Sequence, residues 1–512
     1  MITFSQYGNH RENLWKTYLG DFLQVISCLL LAAFITMAGM PQKISAQNDS
    51  IPGELENGPK TVALDQALQI ALANNVNIKR AMLSVKEADK QVLQAWSRVI
   101  PDLNTNMSYT RNLEIPVNFI PARVFNPNAP PDKLVPVQFG TDNNWTGGFS
   151  MDQTLFNGQA FVGISSAKLY KAVQSESHHA TAQQIVTETR LAYYRTLIAA
   201  ENVELQRARI RRLEQNLREN RARYEAGMLD QYSVLRLEVQ LSNERPKLEE
   251  AKHSLNEAYR NLKLLLDIPQ KASISIKGDL KQYEIETPDV TDSLNREIKR
   301  ITRLVPYRRD PSGDFMQNTL SRRSDLRLLQ TRIELKQREL LSKESRFLPR
   351  LSLSYSVNWN AAEPETPDFF GSAEERARSQ AIAVNFSLPI FQGFQRSADL
   401  AQARIQKRDL QYQKRYTRQE AIHDIKSTRE SLEKVLRTVP AREKALTRAQ
   451  RAYEIALARL EKGVGSQLEV TDAEVQLRQA ELSYARMIFD YLSAKARYDK
   501  AIGKVPLVDI QK

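Results

Sequence analysis

Hydrophobic and polar residues along the chain follow two different periods, and each period predicts a different kind of element. Long stretches place apolar residues every seven positions, which keeps one face of a helix against a partner helix. Four shorter stretches alternate apolar and polar residues, which predicts strands with two unlike faces. The pattern therefore predicts a mostly helical protein with some β structure.

The helical segments occur twice along the chain, in the same order. Each half is predicted to begin with a helix, continue through a strand pair and enter a very long helix. A tight turn containing glycine follows, and a further helix closes the half. The predicted helices are Leu64–Arg98, Gln159–Ala226 and Asp230–Leu266, then Asp325–Phe347, Phe394–Lys462 and Ser466–Ile502. At about 1.5 Å per residue the long helix would span ~100 Å, and the two shorter helices stacked end to end would match it.

A heptad seam indicates that the two halves are an internal duplication. The seam comprises Val234, Leu241, Leu248, Leu255 and Leu262, and a shift of 236 residues leads to Val470, Leu477, Tyr484, Tyr491 and Tyr498. Every position stays large and apolar or aromatic, so both halves contain the same coiled-coil element. We expect a first structural repeat over 47–268, an equatorial insertion over 269–322, a second repeat over 323–503 and a tail over 504–512. Within the insertion, Ile274–Ile276 predicts a strand and Asp292–Leu304 a short helix.

The strand pairs are predicted within 102–156 and 350–391. In the second pair Leu351, Leu353, Tyr355, Val357 and Trp359 share one face, and serines and asparagines occupy the other. Alternation over about ten residues is typical of a membrane barrel strand, although a half-buried sheet in a soluble domain has the same pattern. The small polar second face and the N-terminal segment favour the membrane.

Closure of such a sheet requires more strands than one chain supplies. Backbone groups in hydrocarbon must be paired, so a spanning sheet has to close on itself. Single-chain bacterial barrels begin at about eight strands, whereas this chain offers four. Two copies would give eight strands and three copies twelve, and a small polar inner face favours an open lumen, hence three or more copies. The proline-rich segment 115–143 and the acidic segment 361–379 would be exterior loops.

The N-terminus has the pattern of a secretion signal over residues 1–46. Basic residues precede an apolar stretch, and Ile44-Ser45-Ala46 offers a small-residue cleavage site. A plain membrane anchor is the alternative for this segment. Cys28 is the only cysteine and lies within the apolar stretch, so we interpret it as part of the signal and expect no disulfide in the mature chain.

Charge and motifs argue against nucleic-acid binding and against catalysis. The formal net charge is +13, but the basic residues are interleaved with acidic ones, as on a solvated helix face. The five histidines form no metal-spaced motif, and there is neither a phosphate-binding glycine loop nor a nucleophile elbow. We therefore predict no enzyme activity, no metal, no cofactor and no nucleic-acid partner.

Several motifs, in order and in both halves, resemble the outer-membrane efflux protein family, the TolC-like exit ducts. The motifs are Leu64-Asp65-Gln66-Ala67, Pro101-Asp102-Leu103 and Pro349-Arg350-Leu351, the Phe-x-Gly turns at Phe156 and Phe391, and the turns around Gly227 and Gly463. The resemblance runs from about Val62 to Gly503. It implies a homotrimer in the outer membrane, with a shared twelve-stranded barrel continuous with a helical barrel in the periplasm. Its partners would be a periplasmic adaptor (membrane fusion) protein, an inner-membrane pump and outer-membrane lipid.

The resemblance also implies roles for particular residues. Adaptor hairpins would dock at the periplasmic tips, which here are Gly227-Met228-Leu229 and Gly463-Val464-Gly465. Glu469 and Asp472, one turn apart on one helix face, match the acidic positions that line the family's closed aperture. The alternative for this pair is an acidic helix N-terminus favoured by the helix dipole.

Two other interpretations stay open at the level of sequence. The first is type I secretion of polypeptides in place of small-molecule efflux, since the tunnel is passive in both. The second is a periplasmic coiled-coil structural or adaptor protein without a pore. This second interpretation explains the helices and the signal, but it leaves the four amphipathic strands unexplained.

Overall fold

A computed structural model describes residues 61–278, 314–363 and 376–505. The predicted signal over 1–46, Cys28, the predicted helix Asp292–Leu304 and residues 506–512 of the predicted tail lie outside the described residues. The helices are α1 Leu64–Asn74, α2 Val76–Ser97, α3 Gly158–Glu225, α4 Gln231–Leu266, α5 Asp314–Arg322, α6 Ser324–Glu344, α7 Gln395–Glu461 and α8 Gln467–Ala501. The strands are β1 Thr61–Val62, β2 Asp102–Arg111, β3 Val117–Pro121, β4 Leu134–Gln138, β5 Asn143–Asn157, β6 Ser275–Ile276, β7 Arg350–Glu363 and β8 Arg376–Ser387.

The long helices begin and end within one residue of the predicted positions because local capping signals fix their ends. The side chain of Asn157 accepts hydrogen bonds from the amides of Gln159 and Ala160 at the start of α3. Asp230 and Ser466 cap the starts of α4 and α8 in the same way. Such caps satisfy amides that have no partner within the helix.

The shorter helices pack in sequence along the long ones, as predicted. Near its start α3 contacts α2, where Lys171 pairs with Asp89 at 2.6 Å. Near its end α3 contacts α4, where Arg221 pairs with Glu238 at 2.5 Å. The second half repeats this arrangement, with α7 packed first on α6 and then on α8.

The prediction of one continuous helix over Leu64–Arg98 is wrong, because the chain breaks at Asn75. There the backbone has φ −53° and ψ 126°, outside the helical region. The Asn75 side chain is buried and donates to the carbonyl of Leu265 at 2.8 Å, while it accepts from the amide of Asn77. These tertiary and capping bonds compensate for the helical turn that is lost.

The main hydrophobic core lies where α1, α3, α4 and α8 meet. Tyr193 is fully buried there, and its hydroxyl donates to the carbonyls of Val62 and Lys277. Val62 is the last residue of β1 and Lys277 directly follows β6, and the two strands form a parallel pair. The predicted strand at Ile274–Ile276 is therefore present over Ser275–Ile276, and its pairing with β1 connects the insertion to the segment just before α1.

A four-stranded antiparallel sheet has the order β2-β5-β7-β8. It consists of two hairpins, one from each half, joined through β5 and β7. Residues in register form rows that share a face, and one such row is Leu103, Met151, Tyr355 and Ile382. The next row, on the opposite face, is Asn104, Ser150, Ser356 and Ala381. One face is thus apolar and the other is small and polar, as the alternation predicted.

The apolar face of this sheet is open to solvent in the single chain. Large exposed side chains on it include Leu103, Met107, Phe149, Ile382, Val384 and Phe386. A contiguous exposed apolar surface of this kind marks a contact with membrane or with another chain. The edge strands β2 and β8 have no further strand partner among the described residues.

Two details differ from the prediction. The return strand β8 ends at Ser387, before Pro389, whose missing amide hydrogen suits it to a strand end. The proline-rich segment 115–143 contains the short hairpin of β3 and β4, in which Phe119 lies opposite Pro136. Sequence alone predicted a loop there, since prolines usually interrupt ladders.

Candidate functional site

The two turns that join the long helices to their partners have the same backbone geometry. Gly227 has φ 72° and Gly463 has φ 74°. In the first turn the amides of Gly227 and Met228 donate to the carbonyls of Tyr224 and Arg223 at 2.9 and 2.8 Å, and the second turn repeats both bonds. This pair of bonds defines a Schellman C-cap, whose positive φ favours glycine.

The predicted tip residues lie together at each turn but differ in exposure. Met228 and Val464 point outward and are exposed, whereas Leu229 is half-buried. Gly465 is packed against α7, since a Cβ there would lie 2.9 Å from the Cβ of Arg459. The first tip has Leu229 at the corresponding position, whose side chain would not fit so close to the long helix.

An exposed apolar strip adjoins each tip, and sequence reasoning missed it. On α4 the strip comprises Tyr232, Leu235 and Val239, whose spacing of three and four places them on one face. On α8 the corresponding strip contains Leu468 and Val475. The spacing of these residues indicates a second apolar face, but the heptad that packs the helices together is the stronger pattern and hides it.

The structure places both predicted gate acids on the exposed face of α8 just after the second tip. Glu469 pairs with Arg459 of α7 at 3.5 Å, and both side chains are about half exposed. The Ser466 hydroxyl caps the Glu469 amide at 3.2 Å. Asp472 is exposed and has no ion-pair partner within the described ranges. Glu469 therefore makes a weak local pair, and Asp472 is available to a ligand or to another chain.

A network of six charged residues connects α3, α4 and α8 above the tips, and it was not predicted. We call it the buried charge network: Arg209, Arg212, Glu244, Glu474, Arg478 and Glu481. The exposed Lys247 also pairs with Glu244, at 2.9 Å, so four positive side chains in all contact three negative ones. Arg209, Glu244 and Glu474 are no more than 3% exposed, so these three charges are shielded from solvent.

The contacts of the network differ in quality. Arg209 pairs with Glu244 at 3.2 Å, and Arg478 approaches the same carboxylate at 3.5 Å. Arg212 lies 3.8 Å from Glu474, too far for a hydrogen bond, and Oε1 of Glu474 accepts none from any described residue. Burial therefore raises the pKa of Glu474, although the arginines oppose this shift.

The network connects the two coiled-coil pairs near the tips through charged side chains. Between the network and the tips, buried Asn220 of α3 donates to Gln467 of α8 at 3.2 Å. Contacts of this kind depend on orientation, so they specify how α3 and α8 align. The alignment of α3 with α8 therefore depends on a few hydrogen bonds and ion pairs that require a particular geometry.

Among the described helices none has the length and apolar character needed to cross a membrane. No group of three or more His, Cys, Asp or Glu side chains in the described part of the chain is arranged to hold a metal ion.

Comparison with known proteins supports one family throughout. Alkaline protease secretion protein AprF of Pseudomonas aeruginosa is 20% identical over 363 residues, covering 71% of this chain and 70% of AprF. Outer membrane protein TolC of Escherichia coli is 18% identical over 456 residues, covering 87% of this chain and 83% of TolC. The crystal structure of the Campylobacter jejuni CmeC outer membrane channel has a TM-score of 0.67 at 16% identity, with 87% of each chain covered.

The family assignment comes from a match to a sequence profile in both halves of the chain. The profile of the outer membrane efflux protein family matches residues 67–267 and 315–504. These ranges include both tips, both hairpins of the sheet and the buried charge network. This protein is therefore a member of the outer membrane efflux protein family, an outer-membrane exit duct that extends into the periplasm.

Proposed function

We propose that three copies of the chain assemble side by side and close one shared twelve-stranded barrel in the outer membrane. The four-stranded sheet is the observation that carries this proposal, because its faces differ and neither of its edges pairs with another strand of the described ranges. A sheet in hydrocarbon cannot keep unpaired edges. Since β8 runs antiparallel to β2, β8 of one copy can continue the ladder onto β2 of the next.

The polar face of the sheet suits the wall of an open lumen. Its side chains are small, and they include Asn104, Ser150, Ser356 and Ala381 in a single row. Barrels of eight strands tend to fill with side chains, whereas larger ones leave a channel. Twelve strands with small inner residues would leave room for solutes to pass.

The helices would extend the channel through the periplasm to the two tips, where an adaptor protein docks. Each tip presents an exposed apolar residue, Met228 or Val464, beside an exposed apolar strip. An adaptor hairpin could bury these side chains, while an inner-membrane pump supplies the energy. The repeated Schellman turns would give each protomer two docking positions of similar geometry.

Glu469 and Asp472 would form the gate at the second tip. Three-fold symmetry would bring six carboxylates near one axis, and rings of carboxylates attract cations in pores. The pair between Glu469 and Arg459 is exposed, so it contributes about 0–1 kcal/mol and leaves the carboxylate free to respond to a cation.

The duct would be passive, with no catalytic step and no cofactor. Membership in a family of channel proteins supports this, and the choice of cargo would belong to the pump and adaptor. Small solutes are the first candidate cargo. Polypeptides are the second, because one relative is named for alkaline protease secretion.

Planar-bilayer conductance of the purified, detergent-extracted protein tests the proposal, with the oligomer mass measured on the same sample. We expect discrete conducting steps from a trimer. A folded monomer without conductance would refute the shared barrel and favour the coiled-coil protein without a pore. A conducting assembly of another size would keep the duct but reject the trimer.

A further inference from the structure

The apolar face of the sheet changes character toward the end that carries the loops. Along one row Met107, Gly147, Trp359 and Arg378 lie in register, and along the next Tyr109, Trp145, Ala361 and Arg376. The last row of β2 contains Arg111. Apolar rows thus give way to rows that combine aromatic residues of β2, β5 and β7 with arginines of β8.

This order matches the layers of a membrane surface. Tryptophan and tyrosine are enriched at the interface between hydrocarbon and headgroups. Tyr109 and Trp145 stack here with ring centroids 4.3 Å apart. The exposed Arg378 lies over the Trp359 ring, with its guanidinium carbon 5.8 Å from the centroid. The arginines therefore fall at the level of lipid headgroups on the side away from the helices, which is the outer leaflet.

In the proposed barrel, arginines from two copies would lie at the loop-side end of one junction. Strands β2 and β8 are the two edges, and their loop-side ends are Arg111 and Arg376. When β8 of one copy pairs with β2 of the next, Arg378 of the first and Arg111 of the second share one outward surface. Each junction between copies would therefore contain both Arg378 and Arg111, which lie at opposite edges of the sheet in a single chain.

A depression in the apolar face lies at the level of Arg378 and extends one row toward the helices. It has a volume of about 230 Å³ and is lined mainly by Met107, Trp145, Phe149 and Trp359. Gly147 opens it, because its missing side chain leaves Met107 as the nearest neighbour of a Cβ, at 4.0 Å. The depression offers an apolar surface for a hydrocarbon chain next to Arg378, which lies over the Trp359 ring.

We infer that each junction between copies binds a phosphorylated glycolipid of the outer leaflet, with its phosphate on Arg378 and Arg111 and an acyl chain in the depression at Gly147. Arginine suits this role because its planar guanidinium donates two parallel hydrogen bonds to phosphate. A soluble acidic partner would use the arginines but would leave the apolar depression empty. The inference rests on the shared barrel proposed above.

Native mass spectrometry of the detergent-purified assembly, stripped of lipid and then mixed with diphosphoryl lipid A, tests this inference. We expect up to three glycolipids per trimer, and at least tenfold weaker binding in the double variant Arg111→Gln/Arg378→Gln. Gly147→Leu should weaken binding of the glycolipid by filling the depression. The conservative double variant Arg111→Lys/Arg378→Lys should retain part of the affinity, as lysine also binds phosphate.

Lys168→Gln is the matched control, because Lys168 also lies over a tryptophan, Trp96, at 5.9 Å but belongs to α3. It should bind the glycolipid like the wild type. Equal binding by the arginine variants, or equal binding of a neutral diacyl lipid, would overturn the inference. Full competition by inorganic phosphate would also overturn it, by showing an anion site without lipid. Trimer mass and conductance on the same sample separate these outcomes from failure of the barrel itself.

Discussion

At the scale of single residues, Gly463 combines a left-handed backbone conformation with free space around it. Its φ is 74°, and no atom lies within 4 Å of a Cβ built there. A larger side chain would therefore add strain of about 1 kcal/mol but would project outward without a clash. We expect Gly463→Trp to block export while the trimer persists, because the ring would occupy the surface where the adaptor docks.

Gly463→Asn is the control for this substitution. Asparagine tolerates positive φ and adds little bulk, so export should stay near the wild-type level. Export is measured by antibiotic susceptibility in cells that contain the cognate pump, and assembly by oligomer mass. Loss of the trimer in Gly463→Trp would show that the residue supports folding, and normal export would remove the docking role.

If Glu469 and Asp472 form the gate, their charges should determine how strongly divalent cations block the channel. The double variant Glu469→Gln/Asp472→Asn should weaken block by divalent cations at least several-fold, because it removes every carboxylate of the proposed ring. Glu461→Gln is the matched control, since Glu461 is an exposed carboxylate in the last turn of α7 at the same tip. Single-channel recordings with and without Mg²⁺ provide the measurement. Unchanged block in the double variant would eliminate the gate assignment.

The buried carboxyl group of Glu474 should make the stability of the helices depend on pH. Burial raises the pKa of Glu474 in the folded protein, so the folded state holds this proton more tightly than the unfolded state does. The resulting contribution to stability is complete below the unfolded value of about 4.3 and disappears as pH rises through the folded pKa. Glu474→Gln should remove this part of the pH dependence of the helical unfolding midpoint.

Circular dichroism at a series of pH values checks this, with Glu249→Gln as the control. Glu249 is an exposed carboxylate on α4 that pairs only with Lys252 in the described part of the chain. Its variant should retain the wild-type pH dependence. A wild-type midpoint that rises with pH across the same window, and is unaffected by Glu474→Gln, would contradict the prediction.

The residues of the buried charge network show where sequence reasoning stops. The seam residues Val234 and Val470 could be predicted because burial follows from period alone. Arg209 and Glu474 lie in highly charged stretches that resemble a solvated helix face. Charged residues are rarely buried unless they are paired. Their burial depends on α3 meeting α8, a contact between distant parts of the chain that no local pattern encodes.

At the scale of elements, the break between α1 and α2 depends on one side chain. Asn75→Ala would remove the cap on the Asn77 amide and the bond to the Leu265 carbonyl, a loss of about 1–2 kcal/mol. We expect faster amide exchange across residues 64–80, measured by hydrogen–deuterium exchange mass spectrometry. Asn77→Ala should leave exchange unchanged, because that side chain is exposed. Equal exchange in the two variants would show that the break forms without Asn75.

The ends of the long helices could be predicted, and the break at Asn75 could not, for related physical reasons. Asn157 and Gly227 act locally, through caps whose partners lie within a few residues. Asn75 is also a capping residue, but the bond that favours the break comes from Leu265, far along the chain. A helical period that continues on both sides hides such a break. Tertiary contacts therefore decide where local signals allow two outcomes.

At the scale of the whole molecule, the sheet links the sequence pattern to assembly. In the proposed barrel one face meets lipid and the other meets water, and each edge pairs with another copy. The alternation of side chains predicted the two faces, and the strand count predicted that copies must combine. The arginines at the ends of β2 and β8 gain a common role only when those edges meet, so the lipid site would be a property of the assembly.

Neighbouring residues on β8 allow the two faces to be tested at one depth. Ile382 belongs to the apolar face and Ala381 to the polar face, and both lie near the middle of the ladder. A lysine in the lipid costs about 2–4 kcal/mol near the bilayer midplane, whereas a lysine in an aqueous lumen costs little. We therefore expect Ile382→Lys to reduce the amount of assembled protein in outer-membrane fractions several-fold. Ala381→Lys should assemble normally and shift ion selectivity toward anions in planar bilayers, and the reverse pattern would mean that the apolar face lines the channel.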